Sequence, residues 1–182
     1  MTEPLSPLVL FLHCPAGSPS DFDGVVGRLP GRFTSRSPRL DWAESPRELA
    51  AGLEREVHEE ARPLVLAASG HAGYVALELG RRHRGRVRGL VLSGCSDDPR
   101  DGFGRVDLPV LLLWGTDDEL TPPAVGRRLR DSLPGARLLF LLEAGTRPMV
   151  DRPSVYAFHL ASFLNDLAPE LVPPRRLADE AA

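Results

Sequence analysis

Residues Leu64 to Ala68 form a short apolar run that ends in small side chains, turns within Ser69-Gly70-His71, and continues into a stretch rich in small and long apolar residues, Ala72 to Leu79. Strand, tight turn and helix in that order is the setting in which a nucleophilic serine can be lifted above a sheet. Here the turn offers the hydroxyl of Ser69, the imidazole of His71 and, between them, a glycine with nothing to offer. A second group of reactive types is Asp117 and Asp118, between the apolar run ending in Trp114-Gly115 and the pair Pro122-Pro123. An aspartate there can transfer a proton, or it can cap the helix that Pro122 is well placed to begin. A third group is His13-Cys14-Pro15, at the end of the first apolar run.

Composition narrows what these groups can serve. The chain has 182 residues, 42% of them hydrophobic and 26% charged, with a net charge of −3, which suits one soluble domain with a single core. Nothing in that balance favours nucleic acid or an anionic membrane. All 22 basic residues are arginine, which carries no functional weight. Cys14 and Cys95 are too few and too far apart for a disulfide framework or a paired-cysteine metal site, so neither metal nor cofactor is expected, and free thiols fit a reducing compartment. The N-terminal stretch is acidic where a secretion signal is basic, and its apolar run is too short to span a bilayer. The expected location is the cytoplasm.

The elements that must position the reactive groups alternate. Strands are predicted at Leu8 to Leu12, weakly at Arg32 to Ser37, then at Leu64 to Ala68, Val87 to Leu92, Val110 to Trp114 and Arg137 to Leu142. Helices are predicted at about 20–29, 46–61, 72–84, 122–133 and 153–166. Ser45 before Pro46 with Glu48 three residues on, and Arg152-Pro153-Ser154, read as helix starts. Alternation of this kind implies an α/β fold: a three-layer sandwich with a mostly parallel sheet of about six strands and helices on both faces. One domain covers 1–167. The stretch 168–182, with Pro-Pro and alternating charges, is expected to be a loosely packed or disordered tail.

Taken in order, "LFLHCPAGSPSDF", "LVLAASGHAGYVALELG", "VRGLVLSG", "LPVLLLWGTDDELTPP" and "LLEAGTRPMVDRPSVYAFHLASFL" resemble the α/β-hydrolase superfamily across nearly the whole chain. The resemblance implies a loop of HG type after an early strand, a G-x-S-x-G nucleophile elbow, an acid loop, and a final GH loop before a proline-led helix. It also implies a minimal form of about six strands. The early strands of larger members have no counterpart, and only about a dozen residues separate Ser93 from Pro109, where many members carry a helical lid.

The register of the elbow decides what the resemblance implies chemically. Small residues are needed two and three positions after the nucleophile, where helix and strand pack closely. With Ser69 as nucleophile those positions are His71 and Ala72; with Gly70 they are Ala72 and Gly73. The nucleophile position therefore falls on Gly70, and Ser69 reads as a buried or turn serine. The final loop reads Gly145-Thr146, and Thr146 has no accessible basic form near neutral pH. Pro15 stands where a backbone N–H would meet the oxyanion and has none; one such donor is worth about 2.7–4 kcal/mol of barrier. The catalytic carboxylate falls on Asp118, with capping or loop stabilisation as the other reading. Asp97 and Asp98 read first as a solvated turn.

The remaining histidines do not obviously substitute for the missing base. His13 takes the place of a structural histidine, and His71 can face the mouth of a pocket. His58 and His83 read as solvated, and His159 as a packing residue. Cys14 and Cys95 fall at strand ends, where ligands meet open α/β sheets, although packing is the more common fate of a free cysteine.

Three readings follow. One is a degenerate hydrolase-fold protein that binds a small organic molecule or a protein partner without turnover. Another is an enzyme of elimination, cyclisation or isomerisation that uses a lone acid/base such as Asp118. The third is an atypical esterase. No oligomeric state follows from the sequence.

Overall fold

A computed structural model describes residues 7–96 and 106–167. Asp97, Asp98, the stretch where a lid would be inserted and the tail 168–182 lie outside the described residues. The chain runs through β1 (Leu8–Leu12), a 3-10 turn (Pro19–Phe22), α1 (Asp23–Val26), β2 (Thr34–Arg36), α2 (Pro46–Glu59), β3 (Leu64–Ser69), α3 (Ala72–Arg82) and β4 (Val87–Ser93). It continues through β5 (Val110–Gly115), α4 (Pro123–Ser132), β6 (Arg137–Leu141), α5 (Pro148–Asp151) and α6 (Pro153–Asp166).

The strands form one sheet in the order β2-β1-β3-β4-β5-β6, and all five pairings are parallel. Side chains alternate across a strand, and here both sides are apolar. Leu8, Leu10 and Leu12 of β1 join Leu64, Leu66, Leu90, Leu92, Leu112 and Trp114 under α2, α3 and α4. Val9 and Phe11 join Val65, Val91, Leu111 and Leu113 beneath α1, α5 and α6, with Phe22, Met149 and Tyr156 filling that layer. The result is the three-layer α/β sandwich with helices on both faces.

Two helical expectations changed. The segment at about 20–29 folds as a 3-10 turn and a single helical turn, because Pro19, Gly24 and Gly27 interrupt any longer run. Between the last strand and the last helix an extra turn, α5, begins at Pro148. The start of α2 is as expected: the Ser45 hydroxyl accepts the Glu48 N–H at 3.3 Å, and the Glu48 carboxylate accepts the Ser45 N–H at 2.8 Å. The Ser45 N–H, joined by the Ser45 hydroxyl donating to the same carboxylate at 2.7 Å, holds the Glu48 carboxyl below its ordinary range.

The order of the strands fixes where a site can form. β1 leads to α1 on one face and β3 leads to α3 on the other, so the loops leaving these neighbouring strands diverge and leave a crevice at their C-terminal ends. Ser45→Ala, which breaks the capping box at the start of α2, is expected to lower stability by about 1 kcal/mol with an unchanged denaturant slope in urea unfolding.

Candidate functional site

The chain turns sharply after β3, and Gly70 stands at the apex of that turn. Gly70 has φ +54°, in the left-handed region, its N–H donates to the Ser93 carbonyl at 2.8 Å, and its carbonyl accepts the Gly73 N–H at 3.0 Å. The position needing a tightly packed small residue is Gly73: a Cβ there would stand 2.5 Å from the Cys95 sulfur. Ser69 is buried as the last residue of β3. His71 begins the first turn of α3 as an exposed residue, its ring edge-on to Tyr74 at 6.1 Å.

Across the crevice, the loop after β1 closes over the apex. A Cβ built on Gly70 would lie 2.9 Å from Cys14 Cβ and 4.0 Å from its sulfur, so the half-buried Cys14 occupies the space into which a side chain at position 70 would project. His13 fixes that loop. Its Nε2 accepts the Leu40 N–H at 3.0 Å, which leaves Nδ1 to carry the proton and donate to the Cys14 carbonyl at 2.9 Å. The same carbonyl accepts the Gly17 N–H at 3.0 Å, closing a turn with Pro15 at the position where proline is favoured. His13 is thus a structural histidine, and Pro15 presents no N–H toward the apex.

Asp118 is at the centre of the opposite wall. It is 3% exposed, and its carboxylate accepts four hydrogen bonds. Three reach Oδ1, from Leu120 N–H (3.1 Å), Thr121 N–H (2.8 Å) and the Thr146 hydroxyl (2.8 Å), and one reaches Oδ2, from the Thr121 hydroxyl (2.6 Å). The capping expectation is corrected in detail: α4 is preceded by Pro122 without a side-chain cap, and Asp118 closes the loop before it. Trp114 Nε1 anchors that loop through the Thr121 carbonyl at 2.7 Å. Through Thr146 the loop after β6 is tied to the one after β5.

Gly94, which the sequence reading passed over, completes this wall. It has φ +59°, and a Cβ on it would meet the Thr146 carbonyl at 2.9 Å and both Asp118 Oδ2 and Thr121 Oγ1 at 3.5 Å. Its only sequence signal is a glycine directly after β4. Arg147 reaches across to Asp21 at 3.4 Å and ties the last loop to the first.

Burial pushes the Cys95 thiol up to about 12 and raises the Tyr156 phenol as well. The Ser93 hydroxyl donates to that phenol at 3.4 Å. His83 is not solvated as expected but half-buried against Glu54 at 3.2 Å. Among the described residues no three His, Cys, Asp or Glu side chains converge to hold a metal ion, and no helix is long and apolar enough to cross a membrane.

Known proteins place this geometry in context. No protein-family model matches the sequence. The uncharacterised hydrolase YugF of Bacillus subtilis is 33% identical over 60 residues, 33% of this chain and 22% of that protein. A pimeloyl-[acyl-carrier protein] methyl ester esterase of Neisseria meningitidis serogroup A is 32% identical over 73 residues, 40% of this chain and 23% of the esterase. The matched segments thus span less than a quarter of these relatives. Solved structures cover far more. An α/β-hydrolase enzyme from a sediment metagenome of the lagoon of Mar Chica, Morocco, superposes with a TM-score of 0.80 over 90% of this chain and 92% of its own, at 20% identity. A thermophilic esterase from Thermogutta terrifontis gives 0.75 over 88% and 90%, at 16% identity. The chain has the α/β-hydrolase fold.

Gly70→Ala tests the apex directly. It forces a side chain into a left-handed backbone and against Cys14, and is expected to cost about 1–2 kcal/mol in urea unfolding, part of it recovered in combination with Cys14→Gly. His71→Ala, one residue away and exposed, is expected to change stability by less than about 0.5 kcal/mol.

Proposed function

We propose that this chain is a pseudohydrolase: a protein that keeps the α/β-hydrolase fold and its crevice, and binds a small organic molecule or a protein partner there without hydrolysing an ester. The observation that carries this reading is the engagement of Asp118 by Thr146. In a serine hydrolase the acid orients a histidine that takes a proton from the nucleophile. Here the acid is bonded to a hydroxyl that cannot serve as a base, and the apex of the elbow has no side chain. Pro15 removes one oxyanion donor, and the Cys14 side chain stands over the apex. These departures come from three different loops, those after β1, β3 and β6, and all act against acyl transfer.

The esterase reading has an observation in its favour, since the matched relatives include named methyl ester esterases. It requires another serine to be activated, and Ser69 is buried at the end of its strand. An acid/base role for Asp118 in elimination, cyclisation or isomerisation has less support, because three of its four bonds converge on one oxygen and Gly94 packs against the other. In the binding reading, exposed His71 beside the apex is the side chain best placed to touch a ligand.

The test is turnover and covalent capture on the purified protein. Activated aryl esters should be hydrolysed no faster than in buffer, and a fluorophosphonate should leave the intact mass unchanged. A stoichiometric adduct on a serine would establish the esterase reading instead. Gly70→Ser with Thr146→His should gain little activity, because Pro15 and Cys14 remain in place and the parts of a triad act as a unit. Brisk turnover by Gly70→Ser alone would show that a base lies elsewhere.

A further inference from the structure

β6 ends the sheet in the order β2-β1-β3-β4-β5-β6, so one of its edges has no neighbouring strand among the described residues. Its pairing with β5 is regular from Leu111↔Arg137 to Gly115↔Leu141, with no bulge to end it. The Leu141 carbonyl accepts the Thr116 N–H at 3.0 Å. Backbone groups alternate along a strand, so those of Arg137, Leu139 and Leu141 point to β5, and those of Leu138 and Phe140 point outward. The next outward carbonyl, that of Leu142, is taken by Arg152 Nε at 3.1 Å. The open edge is therefore short and defined: two N–H and two C=O groups.

Exposed edges are ordinarily blunted by charge, proline, a bulge or brevity. The opposite edge strand, β2, is three residues long, with Thr34 and Arg36 exposed. β6 has no proline and no bulge, and after its first residue, Arg137, it is uncharged: Leu138 to Leu142 is an apolar run. Leu139 and Leu142 are exposed, one within the strand and one directly after it. Leu142 keeps 73% of its surface accessible directly after this unpaired strand.

We propose that this edge joins two copies of the chain, β6 against β6 in antiparallel fashion, about a two-fold axis through Leu139. Outward groups must meet outward groups, so Leu138 of each copy pairs with Phe140 of the other. This makes four N–H···O bonds, with the two Leu139 side chains facing one another in the non-hydrogen-bonded pair at the axis. The charges at the ends of the run select a second copy in this direction. Arg137 opens the apolar run and Glu143 closes it, and antiparallel pairing brings the positive end of each copy to the negative end of the other. Parallel pairing would stack like on like. Arg137 already pairs with Asp166 at 2.7 Å, and Glu143 with Arg152, so each end of the interface becomes a group of charges of alternating sign. The joined sheets form one continuous sheet.

The experiment uses the whole chain. Sedimentation equilibrium from micromolar to submillimolar concentration is expected to show a monomer–dimer equilibrium. Leu139→Glu, which sets two carboxylates against each other at the axis, should weaken it about tenfold or more while the far-ultraviolet circular dichroism is unchanged. Hydrogen exchange on the unmodified protein gives an independent reading, in which the Leu138 and Phe140 amides become protected as concentration rises. A monomer at every concentration, or a Leu139→Glu variant that is folded and as dimeric as the parent, overturns the proposal. So does protection that is independent of concentration and vanishes on removal of residues 168–182, which would assign the edge to the chain's own C-terminal segment.

Discussion

A carboxylate cut off from water must have its lone pairs answered by donors, and in this protein that requirement organises the site. Asp118 gathers two backbone N–H groups and the hydroxyls of Thr121 and Thr146. The first three donors are within three residues of it and shape the loop between β5 and α4. The fourth comes from beyond β6, so one buried charge joins two loops that the sheet alone would leave independent. Hydrogen bonds to an ionised group are stronger than those between neutral partners, and leaving one unmade is costly. On the proposed reading, a group that in a serine hydrolase is held ready for a histidine here holds the protein's own loops together.

The other wall of the crevice follows from strand order. Because β1 and β3 are neighbours whose chains depart to opposite faces, the residues after them meet at the C-terminal end of the sheet without a helix between them. His13 uses both ring nitrogens to hold the first loop in place, and that position brings Cys14 against Gly70. A glycine with positive φ suits both demands there: the backbone turns sharply, and no side chain competes with Cys14. The proline at position 15 serves the turn it sits in and leaves the crevice one backbone donor short.

Much of this was legible in the sequence, and the exceptions have physical causes. Apolar runs such as Leu8 to Leu12 and Leu64 to Ala68 marked strands buried on both faces, and Ser45 with Glu48 marked a helix start, because each signal is local. Thr34–Arg36 was weak in the sequence because an edge strand with exposed side chains has no apolar pattern to read. The small residues after the turn could be read locally, and Gly73 against Cys95 shows why one of them must be small. Asp118 could be identified as an acid or a cap, but its bond to Thr146 spans 28 residues and depends on two loops meeting. Cys14 over Gly70 was illegible for the same reason, as was the fit of Gly94 against Thr146. Contacts across the crevice are products of topology, and no local pattern announces them.

A double-mutant cycle between Asp118→Ala and Thr146→Val, read by urea unfolding, tests most directly whether Asp118 has become a structural tie. The account predicts a coupling of about 1–3 kcal/mol, because each substitution removes the same buried charge-assisted hydrogen bond. Additive effects within about 0.3 kcal/mol would mean that Asp118 and Thr146 do not depend on each other. They would contradict the view that the acid is committed to holding the fold.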